Sequence, residues 1–128
     1  MYLLYNYLEF KIREGVHMTR IQDILRSLGI TGNYKGFHHA CYSIHLATDD
    51  DFRLEAVTKE IYMETAAHFG CKWTAVERNI RTVVTRAWQI NPSFLRHMAG
   101  YHLDGPPTAS EFIEIVSSYI LHSFRSQP

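Results

Sequence analysis

The sequence predicts an all-α fold, a compact multi-helix domain of about six helices containing a helix-turn-helix, on three observations. Apolar residues recur at helical spacing over most of the chain, and no stretch alternates convincingly with the two-residue period of a strand. The periodic segments are punctuated by Gly29, Gly70, Gly100 and the Gly105-Pro106-Pro107 break. Ala66 and Gly70 stand in an Ala-x3-Gly arrangement, in which alanine lets two helices approach and glycine accepts a tight turn. With 128 residues and 46% hydrophobic content, the chain can bury a real core and is no disordered segment.

The elements follow in order. Residues 1–17 form an amino-terminal extension of ambiguous structure. Leu4, Leu8 and Ile12 fit a helix, whereas Leu8, Phe10 and Ile12 also fit one strand face. Residues 18–128 form the domain. Glu14-Gly15 can be encoded by purine-rich codons resembling a ribosome-binding site, which makes Met18 a candidate in-frame start. Thr19 is expected to N-cap a first helix carrying Ile21, Ile24, Leu25 and Leu28, ended by Gly29. After Thr31-Gly32-Asn33, a second helix buries Phe37, Ala40, Cys41, Ile44 and Ala47. One of Asp49, Asp50 and Asp51 caps the next helix start, since carboxylates favour its positive end. The third helix spans about Leu54 to Phe69, with Val57, Ile61, Ala66 and Phe69 in the core. A fourth covers roughly Lys72 to Trp88, and Asn91-Pro92 opens a short fifth through Phe94, Leu95 and Met98. Thr108 or Ser110 caps the last, with Glu111 in its first turn. Its wide stripe of Phe112, Ile113, Ile115, Val116, Tyr119, Ile120 and Phe124 is either buried or partly a dimer surface.

The apolar start is too short and interrupted for a membrane span, and it lacks the basic leader and cleavage site of a secreted chain. Two cysteines, Cys41 and Cys71, outside any CxxC spacing, fit reduced thiols in a cytoplasmic protein. The net charge is zero, but it is segregated. Residues 49 to 64 carry a net −4 and residues 72 to 96 a net +4, so a basic face stands beside an acidic block.

On the fourth helix, Val76, Ile80, Val83, Val84 and Ala87 share one face at 100° per residue. Glu77, Arg78, Arg81, Thr82 and Thr85 fall on the other. Two arginines beside a carboxylate suit the major groove of double-stranded DNA. A guanidinium pairs with guanine O6 and N7, and a carboxylate accepts from the cytosine amino group. A solvated face with a Glu77–Arg81 pair is the plainer alternative. The eight histidines lack the i,i+4 pairing of zinc ligands, and the aspartate run lacks the spaced ligands of a calcium loop, so no metal or other cofactor is expected. No nucleophile elbow or phosphate loop accompanies the serines, so the chain does not read as an enzyme.

From Thr19 to Phe124 the chain resembles the C-terminal effector domain of the sporulation initiation regulator, stage 0 sporulation protein A, of endospore-forming bacteria. The matching pieces occur in order: Leu28-Gly29-Ile30, Tyr34-Lys35-Gly36-Phe37, Val76-Glu77-Arg78-Asn79-Ile80-Arg81, Ala87-Trp88 and Pro107-Thr108-Ala109-Ser110-Glu111-Phe112-Ile113. The resemblance implies an all-helical transcription regulator that binds short DNA boxes with a C·G-containing core. It implies tandem boxes occupied by a homodimer, with the last helix, 108–124, a candidate contact. By matching position, Glu77, Arg78 and Arg81 would touch bases. Lys35 and Lys72 are added as candidate DNA-backbone contacts from charge and placement rather than from a motif match, with Thr74, Thr82 and Thr85 as further candidates.

Three departures stand out. The residues before Met18 are too few for the receiver domain that precedes this one in the family; Ala75 replaces a basic residue; and Trp73 replaces a small one. An alternative function follows: a protein-protein interaction module that retains the fold with weak or lost DNA binding, capturing a partner through the acidic block, Trp73 and the aromatic amino-terminal segment.

Overall fold

A computed structural model describes Gly15 and residues 17 to 125, with side chains through residue 123. The strand-or-helix alternatives for the first residues, and the core position expected of Phe124, lie outside what is described. Among the described residues the fold is all-helical. Helix α1 covers 17–27, α2 Lys35–Asp49, α3 Met63–Phe69, α4 Trp73–Ile90, α5 Pro92–Ala99 and α6 Ala109–Arg125. Between α2 and α3 the chain stays helical but changes gauge. Asp51–Ala56 is a 3-10 segment and Thr58–Tyr62 a π segment.

Helix α2 sits at the centre, packed against both α4 and α6. Its predicted core positions Phe37, Ala40, Cys41, Ile44 and Ala47 are all buried, and the turn of Gly36 is buried with them. Gly36 marks a close crossing: a Cβ there would run into the carbonyl oxygen of Asn79 on α4. The stripe of α6 resolves toward burial, with Phe112, Ile113, Ile115, Val116 and Ile120 inside and Tyr119 half-buried. Each such apolar side chain removed from water contributes about 1.5–3 kcal/mol before ordering costs, and Ile21, Ile24, Leu25, Leu28 and Ile30 add to the same core.

The helix ends follow from local chemistry. Thr108 and Glu111 form a reciprocal capping box: the Glu111 N–H donates to Thr108 Oγ1 at 3.1 Å and the Thr108 N–H to Glu111 Oε1 at 3.3 Å. Asn91 accepts from the Phe94 N–H at 3.2 Å ahead of Pro92, the first residue of α5. Asp50 is the capping aspartate, accepting from the Phe52 N–H at 3.1 Å.

Three expectations need correction. Thr19 does not cap α1: its hydroxyl donates to the Gly15 carbonyl at 2.9 Å, the i−4 bond of a helix interior. Phe69 is 40% exposed rather than core, because its ring closes over His39 and Tyr42 at the surface end of α2. The helical run before the turn starts at Asp51 rather than Leu54, and it is an α-helix only from Met63. Within it, Ile61 and Ala66 are buried and Val57 packs on the core, as the spacing requires.

Candidate nucleic-acid interface

Helix α3, a short turn and helix α4 make the helix-turn-helix. Gly70 ends α3 with φ +69°, a left-handed conformation that glycine adopts without a Cβ penalty. The Cys71 N–H then reaches back to the Ala66 carbonyl at 3.0 Å, closing the corner over a small buried side chain. Lys72 precedes α4 without a side-chain capping bond, so the first-turn amides receive no side-chain oxygen from that position.

The two faces of α4 fall where the 100° step puts them. Val76, Ile80, Val83, Val84 and Ala87 are buried. Arg78, Arg81, Thr82, Thr85 and Arg86 are exposed, and Glu77 is half-buried beside them. Glu77 accepts an ion pair from Arg81 at 3.3 Å, the i,i+4 geometry of the plainer alternative. Such a surface pair is worth about 0.3–0.5 kcal/mol, against about 1–3 kcal/mol for a good bidentate contact to a base. The pair therefore holds Arg81 loosely and yields readily to a better partner. Glu77 also lies near Tyr62, whose phenol is pushed up to about 12 by burial and secondarily by the Glu77 charge. Arg78 has no ion-pair partner among the described residues, which leaves its guanidinium fork open.

The residues expected at the DNA backbone are all exposed. Lys72 and Thr74 lie at the amino end of α4, where backbone N–H groups and the helix dipole favour a phosphate. Lys35 opens α2, whose first turn is brought alongside the middle of α4 by the Gly36–Asn79 contact. Thr82 and Thr85 donate their hydroxyls to the carbonyls of Arg78 and Arg81, each at 3.1 Å. Either must turn its hydroxyl to donate to a phosphate. Arg96 does not belong to this face despite its place in the basic block. Its Nε donates to the Leu103 carbonyl at 3.2 Å and its guanidinium lies 4.7 Å from the Trp88 ring centre, holding the loop before α6.

Sequence reasoning missed Asn79 and His39. Asn79, half-buried at the rim of α4, lies with Nδ2 3.3 Å from His39 Nδ1 on α2. The available signal was Gly36, a glycine inside a helix one turn before His39. Such a glycine marks close backbone approach and makes its i+3 neighbour part of the contact.

Around the interface, no group of three or more His, Cys, Asp or Glu among the described residues is placed to hold a metal ion. No helix there is long and apolar enough to cross a membrane.

An all-α domain with this corner and an outward cationic helix belongs to the helix-turn-helix class of effector domains. The family model described as Sporulation initiation factor Spo0A C terminal matches residues 21–120. The chain belongs to this family of DNA-binding domains that regulate transcription in sporulation.

Proposed function

We propose that the domain binds double-stranded DNA sequence-specifically, with α4 in the major groove. The observation that supports this best is the outer side of α4, where Arg78 and Arg81 stand exposed beside Glu77 while the aliphatic face is sealed. Arg78 and Arg81 read guanine edges, and Glu77 accepts from a cytosine amino group or orients Arg81. Lys35, Lys72 and Thr74 hold phosphates, joined by Thr82 and Thr85 after their hydroxyls turn. Two copies occupy tandem boxes, meeting through the C-terminal half of α6, where Ser118 and His122 flank a groove shared with Met98 and Tyr101 of the α5 end.

A second reading, a protein-interaction module with weak DNA binding, draws on Phe52 and Met63, which are 74% and 50% exposed on the acidic segment. Salt separates the two. Phosphate binding weakens steeply with salt through counterion release, whereas apolar capture does not.

The test is fluorescence-anisotropy binding to a duplex with two tandem C·G-core boxes and to a scrambled duplex, at two salt concentrations. The DNA reading requires a salt-sensitive preference for the boxes that Arg78→Ala lowers by about 1–3 kcal/mol. Equal, weak binding to both duplexes would overturn it. A change below about 0.5 kcal/mol, the spread of ordinary surface substitutions, would remove Arg78 from the readers.

A further inference from the structure

We propose that His39 is a positioning residue for the reading helix: with Asn79 it forms a polar brace between α2 and α4 that sets the rotation of α4 and thus where Arg78 and Arg81 point. This rests on α4 being the element that reads DNA.

The apolar side of α4 fixes that rotation through packing alone, without a directional bond. Val76, Ile80, Val83, Val84 and Ala87 bury well, but dispersion and hydrophobic burial have no directional preference. A rotation of 10° displaces side-chain tips by about 1 Å at the 5–6 Å radius of a helix with its side chains. Displacements of that size matter to a bidentate contact, which wants its donors within about 0.5 Å. A side-chain hydrogen bond, Asn79–His39, joins α2 and α4. It is reinforced from beneath, since Gly36, one turn earlier on the same side of α2, abuts the Asn79 carbonyl. The brace thus grips one residue of α4 by backbone and by side chain. Asn79 follows Arg78 directly and precedes Arg81 by two positions, so it is the natural place to fix both.

The chemistry of the bond specifies the state of the ring. With Asn79 Nδ2 toward the ring, Nδ2 donates and His39 Nδ1 accepts, the pairing of a neutral imidazole with its proton on Nε2; a turned amide would pair Oδ1 with an Nδ1–H instead. A protonated ring presents N–H at both nitrogens. The Asn79 amide must then turn to offer Oδ1, or the bond breaks. Either event changes the group that Asn79 shows on its outer side. The surroundings keep the ring neutral: His39 is 8% exposed, and its pKa is lowered from 6.5 by burial, then by His38 and Lys35 on its own helix. From α3, Phe69 covers it with ring centres 5.0 Å apart, and the stacked Tyr42–His68 pair lies one ring further out. The α4 partner, Asn79, is uncharged.

The experiment measures the ratio of affinities for the tandem-box and scrambled duplexes, at pH 7.5 and pH 5.5, for the wild type, His39→Leu, His39→Asn and Asn79→Ala. A ratio cancels uniform electrostatic changes. His39→Asn retains an acceptor near the position of Nδ1 but cannot titrate. The brace requires that any fall of the wild-type ratio on acidification stay within about 10-fold, the upper range of one hydrogen bond. It requires a low, pH-independent ratio in His39→Leu and Asn79→Ala, and a retained, pH-independent ratio in His39→Asn. A wild-type ratio in Asn79→Ala, or an undiminished acid drop in His39→Asn, would overturn it. Nitrogen-15 NMR of the His39 ring without DNA separates the two possible failures. An Nε2–H tautomer that is lost or titrates differently in Asn79→Ala establishes the brace even if the wild type prefers no box, in which case reading by α4 is what fails. Ring shifts and a titration that Asn79→Ala leaves unchanged overturn the brace itself.

Discussion

Arg78 and Lys72 carry the same charge at the same helix, yet on the proposed docking their loss should register differently, because Arg78 is assigned to base edges and Lys72, at the amino end of α4, to a phosphate. Lys72→Ala is expected to weaken binding to boxed and scrambled duplexes alike and to reduce the slope of log affinity against log salt by about 1. A salt titration of both duplexes checks this, and a loss confined to the boxes would move Lys72 to the base readers. The two cysteines offer a second contrast at this scale. Cys41 is buried and its thiol is pushed up to about 12 by burial, with Arg26 opposing weakly, so almost no thiolate forms at neutral pH. Cys71 is exposed in the turn just before α4. An alkylating reagent at pH 7.5 should therefore label Cys71 alone, and the tandem-box duplex should slow it. Mass spectrometry reads both effects; labelling unaffected by the duplex would place the turn away from DNA.

At the scale of elements, the Gly36 crossing sets up a substitution whose sign runs against helix propensity. Gly36→Ala ordinarily gains close to 1 kcal/mol in a helix interior. Here the new Cβ meets the Asn79 backbone oxygen, which cannot turn aside as a flexible side chain would, and overpacking typically costs about 1–3 kcal/mol. A net loss of about 1 kcal/mol is expected in urea unfolding, together with weaker box preference because α4 is pushed off α2; a gain in stability would show that the crossing gives way easily. The helices themselves were legible because burial imposes a 3.6-residue period, and Val76, Ile80, Val83 and Val84 obey it without exception. Thr19 misled because a threonine hydroxyl bonds an i−4 carbonyl as readily as it caps, and the letters are the same for both. The 3-10 and π turns of 51–62 had no local signature. They are pinned by Arg53, which donates across seven residues to the Glu60 carbonyl at 2.7 Å. The face of α4 could be drawn from one helical wheel, but the Asn79–His39 brace joins residues 40 apart in sequence, and no wheel contains both.

For the whole molecule, the neutral total conceals an arrangement that should be measurable as a field. Some of the charges counted along the chain are spent locally: Arg53 sits 3.9 Å from Glu60, Arg81 pairs with Glu77, and Arg96 serves the Trp88 stack. What remains toward α4 is Arg78, Arg86 and Lys72, and what remains on the preceding segment includes the exposed Asp51, Glu55 and Glu64. The helix-turn-helix corner joins the two, so a phosphate backbone approaching α4 also meets the negative field of the segment before it. Replacing Asp51 and both glutamates by their amides takes the net charge from zero to +3 without touching α4 or the core. Where these carboxylates make no contact with DNA, their repulsion acts through solvent. It fades as the Debye length falls from about 10 Å at 0.1 M salt to about 3 Å at 1 M. The triple variant should bind boxed and scrambled duplexes more tightly by the same factor at low salt, through a faster association rate. That gain should disappear at high salt. A gain restricted to the boxes would mean that one of the three carboxylates lies within contact distance of a base. A gain that survived high salt would mean that neutralisation had rearranged the corner, and the acidic segment would then act on α4 through packing rather than through its field.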